Sequence, residues 1–263
     1  MTYAQAVVLG IVQGLTEFLP VSSSGHLAVV AHLLGIAPDL GSSILLHAGT
    51  LVAVIVFYAG DLWAMLQSLF GAGQEPKKWR RLFWLLVIAS VPTAIIGVLL
   101  ASRVEKAFGS LRAVGVSFIL TGVVLWLAGH RPPGRIGANR ARPGQAILVG
   151  IGQGVAVFPG VSRSGLTVAT GLLLGFEREF AARFAFLLSV PAIGGAFALD
   201  MLHGLGTSGA MAWHRPDWLG FAVAAVAGYV SIRFLLRLIE KGKLAVFSYY
   251  CWLAGLLTLW LAR

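Results

Sequence analysis

GIVQGLTEFLPVSSSGHL occupies residues 10–27, and a related segment, GIGQGVAVFPGVSRSGLT, occupies residues 150–167. Aligned without a gap, the two segments are identical at nine of 18 positions. Each is an apolar stretch that is interrupted in the middle by Pro, Ser and Gly. Chance similarity between apolar stretches seldom reaches this level, so the pair predicts an internal repeat with a helix, a break and a second helix in each copy.

The composition indicates that the chain lies in a membrane. It has 263 residues, of which 58% are hydrophobic and 11% are charged, and its mean hydropathy is +0.86. A soluble domain has about 25% charged residues, so a soluble enzyme is excluded. The net charge of +10 comes mostly from Lys and Arg in short gaps between apolar stretches, where basic residues orient a chain toward the cytoplasmic leaflet. Membrane lipids, and not nucleic acid, are therefore the predicted partners.

Apolar segments long enough to cross a bilayer follow one another along the chain. Six of them are predicted as full transmembrane helices, at residues 44–59, 83–101, 113–129, 183–203, 217–236 and 246–262. Two longer stretches, residues 1–36 and 145–175, are predicted as re-entrant helical hairpins. Their broken backbone is tolerated at membrane depth only beside protein or a water-filled cavity. The predicted fold is an all-α polytopic membrane protein, with residues 1–263 as a single integral membrane domain.

Charge placement predicts opposite orientations for the two copies. If each hairpin returns to the side of the membrane from which it enters, most of the Lys- and Arg-containing segments between apolar stretches lie on one side of the membrane. The positive-inside rule assigns that side to the cytoplasm. The amino terminus is then periplasmic, and a basic cytoplasmic linker at 130–144 joins the repeat halves at 1–129 and 145–263. The pattern is that of an inverted-topology repeat, in which two broken hairpins meet near the midplane and form one central site.

Gln13 and Glu17 are the first candidates for that site, because their i, i+4 spacing places both on one helix face. An ionised carboxylate that faces lipid is expensive, so Glu17 faces a polar cavity, a cation or a basic partner. A hydrogen-bonded structural Glu is the alternative. His47 and Asp200 lie in or near predicted spans, where each either lines the cavity or has a structural role.

The break of the first hairpin is rich in hydroxyl groups, with Ser22, Ser23 and Ser24 ahead of Gly25 and His26. Serines at a break commonly cap a helix. A helix that begins there also directs its free N–H groups into the site, where they hold an anion. His26 is a nucleophile, a general acid or base, or a hydrogen-bonded core residue.

The second hairpin places Arg163 at membrane depth between apolar helices. A guanidinium cannot be neutralised there, and its planar fork matches phosphate or carboxylate oxygens. Arg163 is therefore either an anion clamp or the partner of Glu17 in a structural salt bridge. The copies differ at this site, since Glu17 aligns with Val157 and Ser23 with Arg163. The neighbouring candidates for binding an anion are Ser162, Ser164, Gly165 and Thr167.

These motifs resemble those of the bacterial undecaprenyl-diphosphatases, which are also called bacitracin-resistance proteins. QGLTEFLPVSSSGH at 13–26 is similar to the family's (E/Q)xxxE element followed by PVSS-x-GH, and PGVSRSG at 159–165 is similar to its arginine element. Length, hydropathy and motif spacing agree over nearly the whole chain. The first motif position is Gln13, where many relatives have Glu.

The resemblance implies an integral membrane phosphatase of the bacterial cytoplasmic membrane. Its substrate would be undecaprenyl diphosphate, a polyprenyl lipid, and its product the monophosphate carrier of peptidoglycan synthesis. It also implies a divalent cation, Mg²⁺ or Ca²⁺, for which Gln13 and Glu17 are the candidate ligands. Glu17, Ser23, His26 and Arg163 would be catalytic, and the substrate-binding set would be Ser22, Ser24, Gly25, Ser162, Ser164, Gly165 and Thr167.

Phosphoryl transfer mainly requires charge neutralisation and alignment. We hypothesise that Ser23 or His26 attacks the terminal phosphorus, with Glu17 assisting metal binding or proton transfer. The alternative is a secondary transporter or flippase of an anionic lipid, because paired broken hairpins are also typical of transporters. A homodimer is left open.

Overall fold

The computed structural model describes residues 1–36, 40–108, 110–206 and 213–262. These residues form helices and connecting loops, with no β-strand beyond one isolated bridge between Ile136 and Phe176. The all-α fold class is confirmed. The helices are Tyr3–Phe18 (α1), Ser23–Leu33 (α2), Leu40–Phe57 (α3), Ala59–Leu69 (α4), Pro76–Phe108 (α5), Leu111–Gly129 (α6), Pro143–Val155 (α7), Arg163–Leu173 (α8), Arg178–Gly206 (α9), Arg215–Glu240 (α10) and Val246–Leu261 (α11).

Four helices are long and apolar enough to cross a membrane, which confirms a polytopic protein. These helices are Pro76–Val104, Leu111–Gly129, Arg178–Leu199 and Arg215–Glu240. In the same order, each contains or overlaps one of the predicted spans at 83–101, 113–129, 183–203 and 217–236.

The other two of the about six predicted spans are not full-length single helices among the described residues. The span predicted at 44–59 belongs to a helix pair, Ser42–Phe57 and Ala59–Leu69, that bends by 70°. The span predicted at 246–262 is α11, a helix of 16 residues. At 1.5 Å per residue such a helix is about 24 Å long, which is short of a hydrocarbon core of about 30 Å. The described residues therefore contain four full spans, or five if the bent pair counts as one.

Both predicted hairpins consist of a helix, a break and a second helix. In the first, α1 ends at Phe18 and α2 begins at Ser23; in the second, α7 ends at Val155 and α8 begins at Arg163. Ser22 caps α2 by accepting from the Gly25 N–H at 3.3 Å, and Ser162 caps α8 by accepting from the Gly165 N–H at 3.1 Å. The two copies thus use the same capping contact, which satisfies amide groups that would otherwise be orphaned at a helix start.

Packing between helices also follows the repeat. Helix α1 lies along α10, and the equivalent helix α7 lies along α5. A Cβ atom at Gly10 would come within 2.7 Å of the Gly220 carbonyl oxygen on α10. A Cβ atom at Gly150 would collide with the Ala89 carbonyl oxygen on α5. Glycines that are identical in the two copies therefore permit close contact between equivalent helix pairs.

We expect Gly150→Ala to destabilise the protein by about 1–3 kcal/mol, because the added methyl group must displace the backbone of α5. Gly144 lies on the same helix, and a Cβ atom there would meet nothing within 4 Å. Gly144→Ala is therefore the matched control, with no loss expected. Thermal unfolding in detergent measures both. Equal stability of the two variants would contradict the close packing of α7 against α5 at Gly150.

Candidate active site

The tips of the two hairpins are in direct contact. A Cβ atom at Gly25 would lie 3.0 Å from the Gly160 Cα, and one at Gly165 would lie 3.2 Å from the Pro20 Cβ. The Ser164 hydroxyl donates to the Leu19 carbonyl at 3.1 Å. The two breaks therefore meet at one place, and the candidate residues of both copies surround this junction.

Glu17 and Arg163 form an ion pair across the junction. Glu17 lies in the last turn of α1 and is 7% exposed, while Arg163 is the first residue of α8. A buried carboxylate at membrane depth needs such a partner. The Arg163 Nη1 is also buried and has no hydrogen-bond partner. The guanidinium therefore pairs with Glu17 and retains a free donor for an anion, so the two sequence-based interpretations of Arg163 are compatible.

Ser23 places its hydroxyl on the same carboxylate. Its Oγ donates to Glu17 Oε2, and the Gln13 Nε2 donates to that oxygen at 3.0 Å. A hydroxyl in contact with a carboxylate that is itself held by further donors is the arrangement of an activated nucleophile and its base. Ser22, the residue before Ser23, has a φ of 68°, which residues other than glycine rarely adopt. The backbone conformation of Ser22 therefore sets the orientation of Ser23 at the start of α2.

The other hydroxyl groups have local partners. Ser24 Oγ and Ser164 Oγ each lie 3.3 Å from the capping serine of their own copy, Ser22 or Ser162. The Thr167 Oγ1 donates to the Arg163 carbonyl at 2.6 Å. The capping interpretation is thus met by Ser22 and Ser162.

His26 is held at both ring nitrogens. Its Nδ1 lies 2.8 Å from the Ser22 carbonyl oxygen and its Nε2 lies 2.7 Å from the Tyr250 hydroxyl. The Tyr250 ring also stacks on the imidazole at 5.6 Å between centroids. Because a carbonyl can only accept, Nδ1 donates to it, and in the neutral ring Nε2 accepts from Tyr250. Tyr250 has no signal in the sequence, since no spacing relates it to a residue 224 positions away.

Helix α3 contributes two more polar groups. His47 Nε2 lies 4.0 Å from Glu17 Oε2, and Thr50 Oγ1 accepts from Gln13 Nε2 at 3.4 Å. His47 thus lies beside the Glu17 carboxylate of the candidate site. Thr50 was missed, although its place one turn after His47 on an apolar helix was a usable signal. The Asp200 side chain lies outside the described residues.

A divalent cation at this site would be held by protein groups together with substrate phosphates. Among the described residues, no group of three or more His, Cys, Asp or Glu side chains is arranged to hold a metal ion. Glu17 is the carboxylate at the junction, and the buried Gln13 Oε1 has no hydrogen-bond partner. Mg²⁺ is commonly held by one or two carboxylates together with substrate phosphates and water. One carboxylate and one unpaired amide oxygen suit that kind of binding.

The fold and the site define a class of protein: an integral membrane protein with a buried Glu and a half-buried Ser and Arg at the junction of two broken hairpins. The family model described as "Bacitracin resistance protein BacA" matches residues 6–257. This chain belongs to that family, which confirms the resemblance found in its motifs.

Curated relatives are similar over nearly their full length. A protein of Methanobrevibacter smithii is 40% identical, with 98% of this chain and 96% of the relative covered. A protein of Desulfosudis oleivorans is 44% identical, with 98% and 97% covered. A protein of Carboxydothermus hydrogenoformans is 41% identical, with 97% and 95% covered. All three are named "Undecaprenyl-diphosphatase".

Proposed function

We propose that this protein is an undecaprenyl-diphosphate phosphatase. It hydrolyses undecaprenyl diphosphate to undecaprenyl phosphate and inorganic phosphate, and so recycles the lipid carrier of cell-wall synthesis. The contact of Ser23 with Glu17 beside the unpaired donor of Arg163 is the observation that favours this reaction. The names of the full-length relatives support it.

Ser23 is the nucleophile in this proposal. Its Oγ bonds to the terminal phosphorus while its proton passes to Glu17. The bond from that phosphorus to the bridging oxygen breaks, and undecaprenyl phosphate leaves. Water then hydrolyses the phosphoserine, which releases inorganic phosphate and restores the serine. Arg163 offers its free Nη1 to the terminal phosphate oxygens, where negative charge must be neutralised during transfer.

His26 is the weaker candidate for the attacking group, because both of its nitrogens are engaged with Ser22 and Tyr250. It holds the start of α2 in place and is available to the substrate only after Tyr250 moves away. If Ser23→Ala and His26→Ala both lost only affinity and retained full turnover, covalent catalysis by either residue would be excluded.

Gln13 and Glu17 are the residues that would hold Mg²⁺ or Ca²⁺ together with the substrate phosphates. When bound, the cation supplies positive charge that offsets the charge of the diphosphate. We expect EDTA to abolish phosphate release by the purified protein and added Mg²⁺ or Ca²⁺ to restore it. Phosphate release that is unchanged in EDTA would contradict the requirement for a cation.

The protein lies in the cytoplasmic membrane with a periplasmic amino terminus in this proposal, and the basic segment 130–144 joins its two halves on the cytoplasmic side. The charge distribution supports this orientation. Glu17, Ser23 and Arg163 come from one chain, so a homodimer is not needed to complete the site.

A transporter or flippase of an anionic lipid remains the second candidate. The equivalent packing of the two broken hairpins favours it, because secondary transporters are built in this way. The two functions differ in whether the diphosphate is cleaved. Inorganic phosphate released from undecaprenyl diphosphate by the purified protein, and lost in Glu17→Ala and Arg163→Ala, supports the phosphatase. Lipid binding by well-folded protein without phosphate release would favour the transporter.

A further inference from the structure

Helices α1 and α3 face each other, and two polar side chains of α1 lie opposite two polar side chains of α3. Gln13 and Glu17 lie one turn apart on α1, and His47 and Thr50 lie one turn apart on α3. Gln13 contacts Thr50 at 3.4 Å, and Glu17 faces His47 at 4.0 Å. Polar groups are expensive within a membrane helix, so a polar face opposite another polar face indicates a function.

The His47 imidazole is oriented as a ligand. Its Nδ1 lies 2.9 Å from the Ser43 carbonyl oxygen, to which it must donate. In the neutral ring the lone pair is then on Nε2, which is 4.0 Å from Glu17 Oε2, a distance too long for a hydrogen bond. Histidines that bind metals usually donate their other N–H to a backbone carbonyl or a carboxylate in this way. The side chain is 34% exposed.

Gln13 supplies the second, independent observation. It is fully buried, and its Oε1 has no hydrogen-bond partner, while its Nε2 is bonded to Glu17. Leaving a buried carbonyl oxygen unpaired costs about 1–3 kcal/mol. A cation beside Glu17 would give this oxygen a partner, and rotation of the amide exchanges the positions of its oxygen and nitrogen.

We infer that His47 Nε2 is a third protein ligand, with Glu17 and Gln13, of the divalent cation at the junction. The inference rests on the cation requirement in the proposed function and specifies its ligands. Imidazole binds first-row transition ions, whereas Mg²⁺ and Ca²⁺ prefer oxygen ligands. The site therefore binds Mn²⁺ more tightly than Mg²⁺ or Ca²⁺.

Mn²⁺ is the probe for this site because its electron spin detects a directly bound nitrogen. Tag-free protein in detergent and a nitrogen-free buffer is loaded with Mn²⁺ and measured by electron spin echo envelope modulation. We expect ¹⁴N modulation in the wild type and its loss in His47→Gln. The matched control is His130→Gln. Like His47, His130 has its Nδ1 at hydrogen-bond distance from the carbonyl oxygen four residues earlier, but it lies at the end of α6, outside the candidate site. It should retain the modulation.

Labelling the wild type with ¹⁵N-histidine gives a test that needs no substitution, because the ¹⁴N pattern should change to that of ¹⁵N. Mn²⁺ bound with oxygen ligands only would overturn the assignment of His47 and leave the phosphatase proposal intact. Failure of the protein to bind Mn²⁺ would overturn this inference, whereas the cation requirement is overturned only by phosphate release that is unchanged in EDTA. Phosphate release is measured separately, so each failure is distinguishable from failure of the proposed reaction.

Discussion

Replacing Arg163 by lysine should lower kcat for phosphate release by roughly 10³-fold, the lower end of what an arginine at a transferring phosphoryl group contributes. Lysine keeps a positive charge beside Glu17 but loses the planar fork and the unpaired Nη1. This choice avoids a buried unpaired carboxylate, since removing one partner of a buried ion pair costs about 3–5 kcal/mol in stability. Steady-state release of inorganic phosphate from undecaprenyl diphosphate measures the effect.

The control for this substitution is Arg237→Lys, which makes the same change at an exposed position near the end of α10. It should retain wild-type kcat. If Arg163→Lys raised only KM and left kcat unchanged, Arg163 would bind substrate and transition state equally and would not stabilise the transferring group.

Replacing Ser23 by alanine should lower kcat by at least about 10⁴-fold, because a missing nucleophile cannot be compensated by its neighbours. The substitution removes the hydroxyl that donates to Glu17 and leaves the Arg163 pair in place. Phosphate release and binding of undecaprenyl diphosphate are measured together. Binding should persist while turnover is lost.

Ser90→Ala is the matched control, because Ser90 lies on α5 outside the candidate site and its hydroxyl donates to the Leu86 carbonyl of its own helix at 2.8 Å. We expect turnover close to that of the wild type. A Ser23→Ala protein that kept turnover within tenfold of Ser90→Ala would exclude Ser23 as the nucleophile and leave His26 as the candidate.

Sequence alone predicted the hairpins and the main pair of the site for clear physical reasons. A Gln and a Glu four residues apart must share a helix face, and the contact of Gln13 with Glu17 confirms it. A carboxylate and a guanidinium inside a membrane must find partners. The salt bridge to Glu17 was therefore one of the two interpretations of Arg163, and the structure contains it.

Other features depend on geometry that a linear pattern does not contain. The Tyr250 hydroxyl reaches His26 only because α11 packs beside the first hairpin. The bend of 70° between Phe57 and Ala59 was missed because hydropathy measures composition and not helix direction. For the same reason the 16 residues of α11 were predicted as a full span. The position of His47 opposite Glu17 likewise depends on the rotation of α3.

The stereochemical course at phosphorus tests transfer through Ser23 most directly. Undecaprenyl diphosphate with a terminal thiophosphate, made chiral by oxygen isotopes, is hydrolysed by the wild-type protein and the released thiophosphate is analysed. Attack by Ser23 followed by attack of water on the phosphoserine gives two inversions at phosphorus. We therefore predict overall retention of configuration. Overall inversion would show that water attacks the diphosphate directly and would contradict the covalent role of Ser23.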